Sequence, residues 1–246
     1  MIPNLKPAKK LIYLDNAATT PIDARVLQVM VKQYKNNYGN PSSIHKSGKE
    51  ANKALAEARK TIAEILHCQT KEIVFTSGGT ESANLAILGI AVHYLEKHGK
   101  PGHIITSAIE HPSVLKPIEQ LGKQGWNISY LAVDKEGVID FKQLQSSLKP
   151  NTALISIMHA NNEIGTIQPI AKIGKWLFGQ NKIRALTKKQ KVYFHTDACQ
   201  TAGNLVLDIG KLGIDLLTLN GSKIYGPKNS GLLFIRSGTE ILPLLL

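Results

Sequence analysis

A single lysine, Lys223, ends the apolar run in LTLNGSKIYGPKNSG (217–231), behind Asn220-Gly221-Ser222 and ahead of a Gly-Pro turn. A surface lysine needs no such framing, whereas a desolvated lysine at a strand end is suited to attack a carbonyl carbon. The bland alternative is a lysine whose head snorkels to solvent. Asp197 follows the apolar run VYFHT (192–196). A carboxylate there must find a cation or hydrogen-bond donors, because its unpaired burial is costly. It serves either as a structural ion pair or cap, or as the partner of a protonated ring nitrogen, with Gln200 one helical turn on as a neutral donor. His111, in AIEHPSV (108–114), precedes a proline that starts a helix. It either caps and packs there, or stacks on an aromatic ligand and moves protons. TSGGTES (76–82) is a glycine-rich turn opening a helix. Free backbone N–H groups and the positive helix end favour an anion such as phosphate, with the Thr80 hydroxyl beside them. The stretch is neither a P-loop nor a GxGxxG fingerprint.

A carbonyl-capturing lysine, a carboxylate, a stacking histidine and a phosphate cradle together meet the needs of pyridoxal phosphate. To act together they must be carried to one place. Strand-like runs appear at EIVFT (72–76), HIITS (103–107), ISYLAV (128–133), ALISIM (153–158), VYFHT (192–196) and DLLTL (215–219). Helix-like segments lie between them, from about Thr80 to His98 and over 113–124, 141–148 and 169–178. Such alternation predicts an α/β domain with a largely parallel sheet, the last pair, DLLTLNG and GLLFIR, being antiparallel. Ligands of such sheets sit beyond the carboxyl ends of the strands. Those ends deliver Ser77-Gly78-Gly79-Thr80, Glu110-His111, Asn161-Asn162-Glu163, Asp197 with Gln200, and Lys223. An earlier helix is expected over 47–67, with Ser47 and Glu50 at capping-box spacing and Leu55, Ala58, Ile62, Ile65 and Leu66 at helical period.

The 246 residues, 43% hydrophobic and 20% charged, suit a globular protein of one large or two ordinary domains. No stretch has membrane-spanning length, and the start shows no export signal. Cys68 and Cys199 stand far apart, without metal-ligand spacing, so a reduced, cytoplasmic protein without a metal is expected. The net charge of +12 is scattered, apart from NKIRALTKKQK (181–191), which reads as a solvated loop. It suits attraction of anionic small molecules better than a nucleic-acid surface. The ending EILPLLL is either a buried C-terminal strand or a chain cut short of its next domain.

The segments YLDNAATTP, NYGNPSSIH, EIVFTSGGTESANLAI, SAIEHPSV, SIMHANNEIGTIQPI, HTDACQTAG and KIYGPKNSG resemble, in order, those of cysteine desulfurases of the class-V aminotransferase group. The resemblance runs from about Leu14 to the end. It implies the large domain of a fold-type-I pyridoxal-phosphate enzyme: a mostly parallel mixed sheet with helices on both faces, spanning 15–246 behind an N-terminal segment 1–14. It further implies a homodimer that takes sulfur from L-cysteine, leaves alanine, and passes a persulfide to an acceptor protein for iron–sulfur assembly or tRNA thiolation.

By position, Lys223 matches the lysine that captures the cofactor aldehyde and His111 the histidine stacked on its ring. Asp197 matches the carboxylate on the ring nitrogen, Gln200 the donor to the phenolic oxygen, and Asn162 a neighbour of that edge. Gly79 and Thr80 match phosphate contacts. Asn220 and Ser222 stand where the family usually reads Ser-Gly-His before the lysine, and are expected to donate to the cofactor in its place. In the family the nucleophilic cysteine and the arginine for the substrate carboxylate lie beyond the lysine, in a small domain this chain lacks; the same portion gives a phosphate contact across the dimer. Cys199 occupies a different place and reads as packing. On this resemblance the ending reads as truncation. The alternatives are a class-V relative acting as selenocysteine lyase or aminotransferase, and a cofactor-binding fragment without activity.

Overall fold

The computed structural model describes residues 12–244, so most of the expected N-terminal segment 1–14 and the last two leucines lie outside the described residues. Short apolar runs bounded by glycine, proline and polar turns become strands β1 Ile73–Thr76, β2 His103–Ser107, β3 Asn127–Leu131, β4 Thr152–Ser156, β5 Tyr193–Asp197, β6 Leu216–Asn220 and β7 Gly231–Ile235. They form one sheet in the order β1-β7-β6-β5-β4-β2-β3. Strand β7 runs antiparallel to both neighbours; the other pairs are parallel.

The strands carry apolar residues at successive positions because both faces of the sheet are covered. Ile105, Ile155, Phe194 and Leu217 point to one core, and Ile104, Leu154, Tyr193 and Leu216 to the other. The first core is closed by α2 Lys46–Leu66, α5 Phe141–Ser146, α6 Ile170–Leu186 and α7 Ile209–Leu212. The second is closed by α3 Gly79–His98 and α4 Pro112–Lys123. The remaining helix, α1 Ala24–Asn36, buries none of its residues.

Several local expectations need correction. Helix α2 begins one residue earlier than expected because His45, not Ser47, is its N-cap, the imidazole accepting from the Gly48 N–H. Its buried positions are Gly48, Ala51, Ala63 and Leu66, while Leu55, Ala58 and Ile65 are exposed. The apolar stripe therefore faces outward over much of its length. The solvated loop expected over 181–191 is helical as far as Leu186, because α6 continues to place Arg184 under the sheet edge. There the guanidinium donates to the carbonyls of Gln190 at 2.7 Å, Lys149 at 3.1 Å and Pro150 at 2.7 Å. The described part of EILPLLL forms no strand; Leu242 N–H donates to the Gly89 carbonyl of α3 at 3.2 Å, and Leu244 is exposed. Among the described residues no helix is long and apolar enough to cross a membrane.

Candidate active site

A cavity of about 530 Å³ opens beyond the carboxyl ends of β4, β5 and β6, beside the N-terminus of α3. This is the edge where open α/β sheets hold ligands, and the volume is in the range of small-molecule sites. Lys223 enters it from a 3-10 turn, Gly221–Lys223, that follows β6 directly. The turn is tight: Asn220 Oδ1 accepts from the Ser222 N–H at 3.1 Å, and a Cβ on Gly221 would run into Ser230 Oγ.

Asp197 is the last residue of β5 and lines the same cavity. Its Oδ1 accepts from the Cys199 N–H at 2.9 Å, and its backbone carbonyl accepts from the His159 N–H at 2.8 Å. Two residues back on the same side of β5, His195 is bonded to Ser156 Oγ at 2.8 Å and Thr218 Oγ1 at 2.9 Å. Burial pushes that imidazole down to about 4, so a neutral, hydrogen-bonded ring underlies the Asp197 carboxylate at neutral pH.

His111 caps its helix and also reaches the cavity. It is the N-cap of α4, with Nδ1 accepting from the Ser113 N–H at 3.1 Å, and it lines the cavity. Because Nδ1 is an acceptor, the ring proton is left to Nε2. Burial lowers its pKa; the Asp197 charge opposes this and the Lys223 charge adds to it. Gly79 and Thr80 line the cavity at the start of α3, where no side chain caps the helix and Gly78 takes a φ of 153°. A Cβ on Gly79 would come within 2.8 Å of Cys199 Sγ, so the backbone there approaches the cavity as only glycine permits.

Asn162 also lines the cavity, on a loop after β4 that Asn161 braces: its amide donates to the Ile109 carbonyl at 3.0 Å and accepts from Glu163 N–H at 2.8 Å. Gln200 lies in a turn rather than a helix, and its Nε2 donates to the Ala17 carbonyl at 2.9 Å. Asn220 completes this set, while Ser222 stands outside the lining. The expectation that Ser222 faces the cofactor meets a simple obstacle: its hydroxyl is spent on Asn220 Oδ1 at 3.0 Å.

Sequence reasoning missed the lining given by Asp15, Ala17 and Ala18. Nothing in their residue types announced chemistry; only contacts across some two hundred positions bring them there, and the run YLDNAATTP was their one available signal. Cys199 lines the cavity too, yet it is buried, and burial together with the Asp197 charge raises its thiol well above the usual range. Cys68, half-buried elsewhere, is pushed up to about 11. Neither thiol is set up to ionise near neutrality.

The chemistry of this donor set fits a phosphorylated pyridine aldehyde. Lys223 and Asp197 line one cavity without being paired to each other, since no ion pair among the described residues includes either. Opposite charges on the walls of one cavity suit a ligand that takes an amine at one point and offers a cationic N–H at another. The uncapped α3 N-terminus suits its phosphate.

Comparison with known proteins agrees with this fit. The aminotransferase class-V family matches residues 12–245. A cysteine desulfurase IscS of Dictyoglomus turgidum is 48% identical over 237 residues, 96% of this chain and 57% of that protein. A cysteine desulfurase IscS of Methanosarcina thermophila is 47% identical, covering 98% of this chain and 57% of its own length. A human cysteine desulfurase is 43% identical over 95% of this chain and 49% of its own. Among solved structures, SspA in complex with cysteine superposes with a TM-score of 0.87 at 40% identity, over 95% of this chain and 64% of that one. A NifS-like protein gives 0.88 at 38%, over 95% and 61%. The chain thus spans about half to three-fifths of the length of the curated relatives it matches.

Proposed function

The chain belongs to the aminotransferase class-V family, and from that premise we propose that residues 15–246 are the cofactor-binding domain of a cysteine desulfurase. The proposed substrate is L-cysteine; the products are L-alanine and a sulfur atom carried as a persulfide to an acceptor protein, for iron–sulfur assembly or tRNA thiolation. A cytoplasmic homodimer without direct nucleic-acid contact goes with this reading. The observation that carries it is that one cavity is lined by both Lys223 and Asp197, neither in an ion pair among the described residues, with His111 and the open α3 N-terminus on its walls.

Members of this family depend on pyridoxal phosphate, which supplies, when bound, an aldehyde for covalent capture and an electron-withdrawing ring. In this chain Lys223 would be the amine for that capture, and as a free amine it would be placed to take a proton from the substrate α-carbon. Asp197, bound to the Cys199 amide and backed by neutral His195, would hold a proton on the ring nitrogen. His111 keeps Nε2 for proton exchange because Nδ1 is committed to Ser113. The N–H groups of Gly79 and Thr80 would bind the phosphate, with the Asn220 amide beside them, and Gln200 and Asn162 would hold the ring edge.

The test is spectroscopic. Pyridoxal phosphate added to the chain is expected to produce a protein-bound visible absorbance that Lys223→Ala abolishes; an unaltered free-cofactor spectrum in the wild type counts decisively against the site. A second reading, cofactor binding without turnover by these 246 residues alone, is favoured by the raised pKa of both cysteines. It predicts little alanine or sulfide from cysteine, and turnover at the rate of a complete desulfurase removes it.

A further inference from the structure

Lys223 is fixed from outside its own loop. The segment 15–23 runs as a strap from the cavity wall to the start of α1 and crosses the lysine turn on the way. At its near end the Ala17 carbonyl accepts from Gln200 Nε2 at 2.9 Å. At its far end Asp23 caps α1, its carboxylate accepting from the Arg25 N–H at 2.8 Å. Between these anchors Thr20 is buried against the turn.

Its hydroxyl donates to the Ser222 carbonyl at 3.1 Å and accepts from the Tyr225 N–H at 2.7 Å, so one oxygen joins the residue before Lys223 to the second residue after it. The Thr20 N–H adds a bond to the same Ser222 carbonyl at 2.8 Å. Tyr225 needs such help. It has a φ of 61°, the left-handed region that an aromatic residue enters only when its surroundings over-determine it. Both of its backbone polar groups are taken by the strap: its N–H by Thr20 Oγ1, and its carbonyl by the Asp23 N–H at 2.9 Å.

We infer that Thr20 is a positioning residue for Lys223, its hydroxyl closing the base of the turn so that the amine is presented to the cavity in one orientation. The inference rests on the reading of Lys223 as the amine that captures an aldehyde. Thr19 also donates to the Ser222 carbonyl, at 3.1 Å, but Thr20 is the partner of the Tyr225 N–H. Loss of the Thr20 hydroxyl therefore leaves the N–H of the strained residue without its partner while the rest of the strap, including the bond from Asp23 to the Tyr225 carbonyl, stays in place. A turn that samples other conformations presents the amine for a smaller fraction of the time, and capture slows in proportion.

The experiment follows covalent capture rather than turnover. Pyridoxal phosphate is added to the chain, samples are reduced with borohydride at intervals, and the label on the Lys223 peptide is read by mass spectrometry. Thr20→Val keeps the shape and loses the hydroxyl; it is expected to label about tenfold more slowly, the size of effect of losing one hydroxyl's hydrogen bonds. Thr20→Ser keeps the hydroxyl and is expected to stay within about twofold of wild type. Labelling of Thr20→Val at the wild-type rate overturns the inference. Absence of label on wild-type Lys223 instead overturns the reading beneath it. A measurement on the unlabelled wild-type chain covers that case, and also a Thr20→Val that does not fold. Amide hydrogen exchange at Tyr225 is expected to be at least about tenfold slower than at Asn229, as protection by a formed hydrogen bond requires. Equal rates at the two amides sink the clamp.

Discussion

Glu110, one position before His111, shows how much of a site can hide behind its visible members. The side chain is buried; Oε1 accepts from Ser107 Oγ at 2.6 Å and from the Met158 N–H at 2.8 Å, while Oε2 has no partner. It thus ties the end of β2, which leads to His111, to the chain leaving β4 towards Asn162. Burial pushes its pKa from the usual 4.5 to about 8, with the Asp197 charge adding to the rise. Between those values the folded chain holds a proton that the unfolded chain has released, so stability falls as pH rises through this window. Glu110→Gln keeps an acceptor for Met158 and has no proton to lose. Urea unfolding of this variant is expected to lack that decline, with its advantage over wild type growing from pH 4.5 to about 8; parallel profiles for the two proteins refute the assignment. The Glu110-His111 pair was visible in the sequence as polar residues at a strand end. That one would be buried and the other would line the cavity was not, because both depend on which strand comes to lie alongside β2.

At the scale of elements, the strands were the easy part. Parallel strands covered on both faces are buried throughout and read as short, mostly apolar runs, as ALISI does, while HIITS is equally buried with its polar members inside. Helix ends and lengths were harder, since they are decided by partners elsewhere. His45 takes the cap of α2 from the expected Ser47, and α6 runs past its predicted end because the Arg184 guanidinium finds carbonyls on other segments. Packing of α6 on α7 turns on a glycine: a Cβ at Gly174 would overlap the Leu212 carbonyl oxygen and press on Gly213. Backbone cannot yield as a side chain does, so Gly174→Ala is expected to cost about 1–3 kcal/mol by overpacking. Urea unfolding measures it, and an unchanged midpoint contradicts the contact.

For the whole molecule, the sheet is covered but parts of the outer surface are not. Helix α1 exposes Leu27, Val29, Val31 and Tyr34, and α2 exposes Ile65 beside Val206 along an apolar groove of about 670 Å³. Apolar surface of this extent is usual at association sites. The homodimer proposed for this chain gives one way to cover it, and sedimentation equilibrium is expected to return twice the 26.9 kDa chain mass. A monomer mass at every concentration removes the dimer from the proposal.

The sequence by itself determined the alternation of strands and helices and the chemical character of the residues at strand ends, because both are written in local runs of residue type. Lys223, Asp197, His111, Gly79 and Thr80 were legible on those grounds, and all line the cavity. Tertiary structure alone decided that Ser222 turns its hydroxyl to Asn220 and that a strap from the start of the chain clasps the lysine turn. The physical reason is the same in each case. A hydrogen bond or a desolvation cost is set by whichever group stands within a few ångströms, and Thr20 and Ser222, bonded to each other, are separated by 202 positions in the chain.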